Sequence, residues 1–252
     1  MKSDEEKIIE LEKEIERLKK RDEGFLNMLG FVSHELKSPL STAMMNVFAL
    51  KGGYLGEINP KHKKVLESAA KSLKDFENII KRYLDLGRIE EGNLNIATEN
   101  INLLTDIILP VIESYNHTIN TCNIELINNI KETIIKGDKK LLFGVFNNLL
   151  SNAIIYGKEN SKIELNSEIK NDFIEISVYN EGIGINKENI PLLFSKFERL
   201  SAGSEIRKKG AGIGLFTAKE IIKAHGGQIR IESEEGQWTK VYFTLPICED
   251  IK

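Results

Sequence analysis

The first third of the chain has the spacing of hydrophobic residues that is typical of long helices. Over residues 2–23, apolar positions separated by three and four residues alternate with Glu and Lys, and the same spacing continues to Leu36. This pattern favours a parallel coiled coil, with a single amphipathic helix packed on its own chain as the alternative. The positions of the seam are Ile8, Leu11, Ile15, Leu18, Asp22, Phe25, Leu29, Val32 and Leu36, and polar Asp22 weakens it locally.

A turn-rich segment interrupts this helical pattern at residues 52–60, which contain three glycines and end in Pro60. Two helices joined by a short loop form an antiparallel hairpin, and two hairpins form a four-helix bundle. We therefore predict a coiled-coil lead-in over residues 1–24 and a dimerising helical hairpin over residues 25–92. The second helix of this hairpin is predicted from an apolar stripe that consists of Val65, Leu66, Ala69, Leu73, Phe76, Ile80, Tyr83 and Leu84.

Strand patterns and helix patterns alternate over residues 93–252. Helices are predicted from the N-cap Asp138 to about Tyr156, and over residues 216–224, where two glycines end the helix. The fold class predicted for the whole chain is α+β: a helical hairpin, then an α/β sandwich with a mixed sheet and helices on one face. Strands are predicted at residues 124–130, 133–136, 162–168, 173–179, 228–233 and 240–245.

Composition narrows the function classes. With 41% hydrophobic and 29% charged residues over 252 positions, the chain has enough apolar side chains for a globular core. Its net charge of −3 argues against binding to nucleic acid or to an anionic membrane. Cys122 and Cys248 lack the spacing of metal ligands, and we expect them to be reduced. Because no apolar run is long enough for a transmembrane helix, we expect a cytoplasmic chain without membrane contact, either alone or as part of a larger sensor.

Four short motifs stand out along the chain. In order they are Ser33-His34-Glu35-Leu36-Lys37-Ser38-Pro39-Leu40, Asn148-x-x-x-Asn152, Glu181-Gly182-Ile183-Gly184 and Gly210-Ala211-Gly212-Ile213-Gly214-Leu215. This order resembles the catalytic core of a sensor histidine kinase, in which a dimerisation and phospho-acceptor hairpin precedes an ATP-binding domain. The resemblance extends from Phe25 to Pro246, and it implies the ATP-binding fold that histidine kinases share with gyrase-type topoisomerases and a heat-shock chaperone family.

The resemblance makes His34 the phosphorylated residue. With Leu36 at an a position of the heptad, His34 falls at f and faces away from the seam. A neutral imidazole is a competent nucleophile near pH 7, and Glu35 is placed to accept the proton of its other ring nitrogen. The phosphoryl group would then pass to an aspartate of a response-regulator receiver domain. Ser38, four residues after the histidine, is where the family carries a residue that orients water for a phosphatase reaction.

The second motif implies a metal and phosphate site. Asn148 and Asn152 are four residues apart, so both amides project from one face of a helix. A solvated helix face is the ordinary explanation of such a pair. In this order of motifs, however, the resemblance makes Asn152 the ligand of Mg²⁺, places Asn148 near the phosphates of ATP, and sets Tyr156 beside the nucleotide.

The later motifs imply the rest of the ATP site. Gly182 and Gly184 would let the backbone, up to Ile185, approach the adenine closely, and Asn180 and Thr239 would bind its amino group. The candidate lid and phosphate residues are Lys196, Phe197, Arg199, Gly210, Gly212, Gly214 and Leu215. A dinucleotide-binding loop is the competing interpretation of these glycines, but neither a preceding strand nor the required acidic residue is evident.

Three positions depart from the family pattern. Ile155 replaces a basic residue that contacts phosphate, which leaves Lys158 or a lid cation to replace it; Asn180 replaces Asp; and Trp238 replaces Gly. The main prediction is an ATP-dependent histidine autokinase that forms a homodimer. The departures leave open a degenerate nucleotide-binding scaffold, and an ATPase or chaperone-like relative is a third hypothesis that does not account for the histidine motif.

Overall fold

The computed structural model describes residues 13, 16–17, 32, 36–54, 56, 58–90, 96–195 and 212–248. The chain divides into two compact units, Met1–Asn93 and Leu94–Lys252. Most of the predicted coiled-coil lead-in lies outside the described residues, and so do the side chains of His34 and Glu35.

Two helices make up the described part of the first unit. Helix α1 covers residues 36–51, and helix α2 covers Pro60–Glu90. The predicted break between them is confirmed: residues 52–54 form a turn, in which Gly53 has a φ of 75°. Pro60 begins α2, where the missing N–H of proline breaks no hydrogen bond of the helix.

The second unit contains a five-stranded mixed sheet, which confirms the predicted α/β sandwich. Its strand order is β2-β4-β5-β7-β6, in which β2 and β4 are parallel and all other neighbours are antiparallel. A separate antiparallel pair joins β1 to β3. The bounds are β1 Glu99–Asn102, β2 Glu125–Asn129, β3 Ile134–Gly137, β4 Lys162–Lys170, β5 Phe173–Glu181, β6 Ile229–Glu234 and β7 Trp238–Pro246.

The helices of the second unit begin at recognisable caps. Asp138 Oδ1 accepts hydrogen bonds from the backbone N–H groups of Lys140 and Leu141, which confirms the predicted start of helix α4, Lys139–Tyr156. Helix α5, Gly214–Ala224, begins two residues earlier than predicted. A short 3₁₀ helix, Lys187–Phe194, follows strand β5.

Helix α3, Leu109–Thr121, and the π-helical segment before it were not predicted from the sequence. Residues Leu103–Ile108 form this π-helical segment, which continues into α3. Asn102 caps this segment, because its Oδ1 accepts from the N–H groups of Leu104 and Thr105. The cap and Pro110 in the first turn of α3 are signals from which the helix was recognisable.

The core of the second unit lies between one face of the sheet and the helices. Alternate residues of β5, among them Ile174, Ile176 and Val178, are buried, as are Val145 and Leu149 of α4. This arrangement confirms that the helices cover one face of the sheet. Among the helices of the described part of the chain, none is long and apolar enough to cross a membrane.

Candidate functional site

The glycine-containing loop over residues 181–185 packs against the C-terminal end of α4. The Ile183 N–H donates to the Tyr156 carbonyl (3.3 Å), and the Lys158 N–H donates to the Glu181 carbonyl (3.1 Å). A Cβ atom at Gly182 would lie 2.2 Å from the Tyr156 carbonyl oxygen, so no larger residue fits there. The structure thereby brings the end of the Asn148–Tyr156 segment to the loop that follows Asn180.

The same loop is also fixed to the turn between β6 and β7. The Gly182 N–H donates to the Gln237 carbonyl (2.9 Å), and the Gly236 N–H donates to the Ile183 carbonyl (2.7 Å). Gly184 has a φ of 61°, and a Cβ atom there would lie 2.0 Å from the Glu234 carbonyl oxygen. Backbone on both sides therefore holds this loop in one conformation.

Asn180 and Thr239 lie side by side on the helix-covered face of the sheet. They are directly paired across β5 and β7, and Asn180 is only 5% exposed. The Asn180 side-chain amide donates from Nδ2 to the Glu181 carbonyl (3.3 Å). This bond fixes the orientation of the amide, so that Oδ1 is the atom available to accept a hydrogen bond from a ligand.

Ser233 connects these residues, although nothing in the sequence pattern singled it out. Its Oγ donates to the Trp238 carbonyl (2.6 Å), accepts from the Ile185 N–H (2.9 Å) and lies 3.0 Å from Thr239 Oγ1. Ser233 itself is buried at 5% exposure. One hydroxyl thus joins β6, β7 and the glycine loop.

Asn148 lies against the N-terminus of α5. A Cβ atom at Gly214 would lie 2.3 Å from Asn148 Oδ1, so glycine is required for this approach. Asn148 is 9% exposed, and among the described residues its Nδ2 finds no hydrogen-bond partner; the same is true of Thr217 Oγ1. Buried donors without partners are uncommon in folded proteins. A phosphate oxygen is a chemically suitable acceptor for the Asn148 amide, next to a helix N-terminus that Ile213 does not cap with its side chain.

Asn152 lies one turn after Asn148 and is half-buried. Its carbonyl oxygen is a hard, neutral ligand of the kind that Mg²⁺ accepts together with phosphate oxygens and waters. Tyr156, one further turn along, is 39% exposed. In the described residues no group of three or more His, Cys, Asp or Glu side chains is arranged to hold a metal.

Some of the remaining candidate residues are described by the structure and others are not. Gly212, with a φ of 69°, precedes α5, and Gly214 and Leu215 are its first two residues. Ser38 is an exposed residue of α1. The structure does not describe His34, Glu35, Lys196, Phe197, Arg199 and Gly210.

Trp238 has a structural explanation. Because side chains alternate along a strand, Trp238 projects to the face of the sheet opposite to Thr239. Its ring centroid lies 6.0 Å from that of Tyr179 in a tilted arrangement. Burial of this region raises the pKa of the Tyr179 phenol, and the negative charge of Glu181 raises it further. The tryptophan therefore leaves the Asn180–Thr239 face unobstructed.

Lys158 has a protein partner in the structure, and its contact with phosphate in place of a basic residue at position 155 stays a prediction. Its Nζ donates to the Gly236 carbonyl (3.1 Å), which fastens the lysine to the turn between β6 and β7. Lys158 follows the C-terminus of α4 and lies beside the Glu181–Gly182 backbone. The Lys158 side chain is thus held near the C-terminal end of α4. Ile155, in the last turn of α4, is half-buried and brings no charge.

His225 links the two helices that carry the site. Its Nδ1 lies 2.8 Å from the Ile221 carbonyl, and its Nε2 accepts a hydrogen bond from the Asp138 N–H (3.0 Å). Since Nε2 accepts, the proton is on Nδ1 and the ring is neutral. The end of α5 is therefore joined to the cap of α4. The sequence placed His225 correctly at a helix terminus but did not reveal this long-range bond.

Two family models match the chain in consecutive segments. Residues 26–92 match the His Kinase A (phospho-acceptor) domain. Residues 137–249 match the histidine kinase-, DNA gyrase B-, and HSP90-like ATPase family. The second match includes Asn148, Asn152, Asn180, Ser233 and Thr239 in one domain.

Curated relatives are similar over most of this chain. The sensor histidine kinase WalK of Bacillus subtilis is 29% identical over 237 residues, which cover 92% of this chain and 38% of the relative. The sensor protein VanS of Enterococcus faecium is 28% identical over 96% of this chain and 62% of its own length. The chain thus spans between about a third and two thirds of the length of these relatives.

Solved structures show the same fold. Full-length ShkA, in a crystal structure with AMPPNP, superposes with a TM-score of 0.72 over 88% of this chain and 46% of its own, at 18% identity. The nucleotide-free catalytic domain of the histidine kinase ThkA is 28% identical, with a TM-score of 0.52 over 60% of this chain and 95% of its own. Together these likenesses cover both units of the chain.

Proposed function

Because this chain belongs to the histidine kinases, with a phospho-acceptor domain followed by an ATPase domain, we propose that it is an ATP-dependent protein-histidine autokinase of a two-component system. The observation that carries the proposal is the pair of buried groups without a partner among the described residues, Asn148 Nδ2 and Thr217 Oγ1, at the start of α5 in a chain that also holds the His34 motif. The reaction transfers the γ-phosphoryl group of ATP to His34.

Two acceptors bind the adenine. Asn180 Oδ1 and Thr239 Oγ1, paired across β5 and β7, accept hydrogen bonds from the amino group of the base. The backbone over Gly182, Gly184 and Ile185 approaches the base closely because no side chain intervenes at the glycines. Tyr156 flanks the nucleotide.

The phosphates bind beside the buried Asn148 amide, at the N-terminus of α5. The Asn148 amide, which has no partner among the described residues, donates to a phosphate oxygen. Backbone groups from Gly212 to Leu215 at the start of α5 supply further donors and a favourable helix dipole. The resemblance assigns Lys196, Phe197, Arg199 and Gly210 to a lid, whose two cations would bear part of the phosphate charge.

Asn152 would hold Mg²⁺ through its side-chain carbonyl oxygen, with the remaining positions taken by phosphate oxygens and waters. The ion supplies positive charge that stabilises the transferring phosphoryl group.

The chemical step uses the histidine motif. The unprotonated ring nitrogen of His34 attacks the γ-phosphorus, a P–N bond forms, and the bond from the γ-phosphorus to the bridging oxygen breaks, with ADP leaving. Glu35 accepts a hydrogen bond from the other ring N–H and stabilises the cation that results. An aspartate of a response-regulator receiver domain then receives the phosphoryl group.

The exposed Ser38 hydroxyl orients water for hydrolysis of the phosphorylated regulator.

A homodimer completes the first unit. Phe48, Val65 and Phe76 are 47%, 68% and 42% exposed in the single chain. A second copy of the hairpin would cover these side chains in a four-helix bundle. Because ATP is the phosphoryl donor, the two units work in the cytoplasm, either alone or as the cytoplasmic part of a longer sensor.

Incubation with γ-labelled ATP and magnesium tests the proposal. The protein should become labelled, and the label should be lost in acid and kept in base, as a phosphohistidine requires. Transfer of the label to a receiver domain in a screen of candidate regulators would identify the partner. A protein that binds ATP and never becomes labelled would contradict the autokinase proposal and favour the scaffold hypothesis.

A further inference from the structure

The neighbours of the Ser233 hydroxyl determine in which of its hydrogen bonds it donates and in which it accepts. A serine hydroxyl has one proton to donate and two lone pairs that accept. The proton goes to the Trp238 carbonyl at 2.6 Å, and one lone pair accepts from the Ile185 N–H at 2.9 Å. The remaining contact, to Thr239 Oγ1 at 3.0 Å, is therefore one in which Thr239 donates and Ser233 accepts.

This assignment fixes the chemistry that Thr239 offers to a ligand. Since the only hydroxyl proton of Thr239 is held by Ser233, Thr239 presents lone pairs alone. The amide of Asn180, its neighbour across the sheet, is also oriented, because Nδ2 donates to the Glu181 carbonyl and leaves Oδ1 available to accept. The edge of the base therefore meets two oxygen acceptors.

Two acceptors discriminate between purines. Adenine carries an amino group, a donor, at the position where guanine carries a carbonyl oxygen, an acceptor. An acceptor facing that carbonyl leaves both oxygens without a proton between them, which is a costly arrangement in a buried site. A Thr239 hydroxyl that was free to rotate would remove much of this discrimination by donating to the guanine oxygen.

We propose that Ser233 is a specificity-determining positioning residue, which selects adenine over guanine by holding the Thr239 proton away from the base. Its bond from the Ile185 N–H is a separate contact, which attaches the glycine loop and does not contribute to the selection. The inference rests on the proposed function, because it assigns the base to the Asn180–Thr239 face. Ser233 does not touch the base itself and acts through Thr239.

The test compares the binding of β,γ-imido analogues of ATP and GTP to the full chain by calorimetry. The wild-type protein should prefer the ATP analogue, and Ser233→Ala should lower the ATP-to-GTP preference about fivefold or more, mainly through tighter binding of the GTP analogue. Ser177→Ala is the matched control, since Ser177 is buried at 6% exposure in β5 on the opposite face of the sheet. The control variant should keep the wild-type preference.

A double-mutant comparison shows whether Ser233 acts through Thr239. In a Thr239→Ala background, Ser233→Ala should cause no further change in the preference, because the hydroxyl that it orients is absent. An equal change in both backgrounds would overturn the assignment, and so would an unchanged preference in Ser233→Ala.

Hydrogen exchange of the nucleotide-free protein separates failure of this inference from failure of the proposed function. The Ile185 amide should exchange faster in Ser233→Ala and at the wild-type rate in Ser177→Ala. If the amide responds in this way and the wild-type protein binds neither analogue, the proposed function and the specificity role both fail while the loop attachment stands. If the protein prefers ATP and neither the amide nor the preference responds, the inference fails alone.

Discussion

The two units of the chain differ in how far each completes its own hydrophobic core. In the described part of the first unit Leu40, Ala70 and Ile80 are the buried aliphatic residues, whereas Met45 and Val65 are 69% and 68% exposed. In the second unit the inner face of β5 and the facing side of α4 are buried within one chain. Among the described residues, the second unit thus buries an apolar core within one chain, while the first exposes apolar side chains that a second copy would cover. Variants should accordingly separate phosphate acceptance and association from nucleotide binding.

Replacement of the phospho-acceptor should have the largest effect. We expect His34→Gln to abolish labelling by γ-labelled ATP and to leave ATP affinity unchanged, because glutamine removes the nucleophile and the second unit is untouched. His62→Gln, at an exposed position of α2, is the control and should label normally. Undiminished labelling of His34→Gln would show that another residue accepts the phosphoryl group.

Loss of the metal ligand should separate turnover from binding within the second unit. We expect Asn152→Ala to lower the autophosphorylation rate at saturating ATP and magnesium about a hundredfold, or roughly 3 kcal/mol, because the ion matters most in the transition state. Affinity for ATP should fall far less. Asn147→Ala, another half-buried asparagine of α4 on a different face, should keep its rate. Full turnover by Asn152→Ala would rule out the metal assignment.

A charge placed on the exposed stripe of the first unit should weaken association. Phe76 is 42% exposed in α2, and Phe76→Glu should raise the dimer dissociation constant at least about tenfold, because it puts an unpaired charge into an apolar interface. Sedimentation equilibrium measures the change. Lys74→Ala removes an exposed ion pair with Glu77 and serves as the control. A wild-type protein that is monomeric at micromolar concentration would contradict the proposal that a second copy covers the apolar surface of the first unit.

Loss of the base acceptor should show the reverse pattern to Asn152. We expect Asn180→Ala to weaken ATP binding about tenfold, in the range of a lost hydrogen bond plus a small cavity, and to change the saturated rate much less. The measurement is a titration of rate against ATP concentration. An Asn180→Ala variant with normal affinity would place the base elsewhere.

The smallest expected effect is on the free energy of unfolding, through an ion-pair cluster on the sheet face that the helices do not cover. Glu175 accepts hydrogen bonds from Lys170 Nζ (2.6 Å) and from the Arg230 guanidinium (3.2 Å), and these cations lower the pKa of the Glu175 carboxyl. The stabilisation is therefore present above the unfolded-state pKa and is lost as the pH falls through the folded-state pKa. Glu175→Gln should be slightly less stable than wild type in urea at pH 7, and the difference should shrink as the pH is lowered to 2. A constant difference at both pH values would contradict this assignment.

The helices and strands of the second unit were predicted correctly wherever the local sequence carried a strong cap, turn or alternation signal. Gly137-Asp138 fixed the start of α4, and alternation located β4 and β5. Strand β7 begins at Trp238, two residues before the predicted start, because the turn at Gly236 brings β6 and β7 together immediately. Helix α3 was missed because its π-helical first turns disturb the usual hydrophobic period.

The candidate site was only partly recoverable from the sequence. The order of motifs and the resemblance predict Asn148, Asn180 and Thr239 as site residues, and the pairing of Asn180 with Thr239 on one face of the sheet agrees with strand periodicity. Ser233 and His225 were not found, because their roles arise from contacts with distant segments: Ser233 with Ile185, and His225 with Asp138. No local pattern encodes such pairings.

The packing of Trp238 on Tyr179 has a practical consequence. Trp238 is the single tryptophan of the chain, and it lies on β7 immediately before Thr239. Selective excitation of indole therefore gives emission from one residue, which lies on the strand that carries the proposed base acceptor. The unmodified protein contains its own fluorescent probe, and its emission intensity and lifetime should report changes that reach β7 when a ligand occupies the Asn180–Thr239 face on the other side of the sheet, without a dye, a radioactive label or a catalytic turnover.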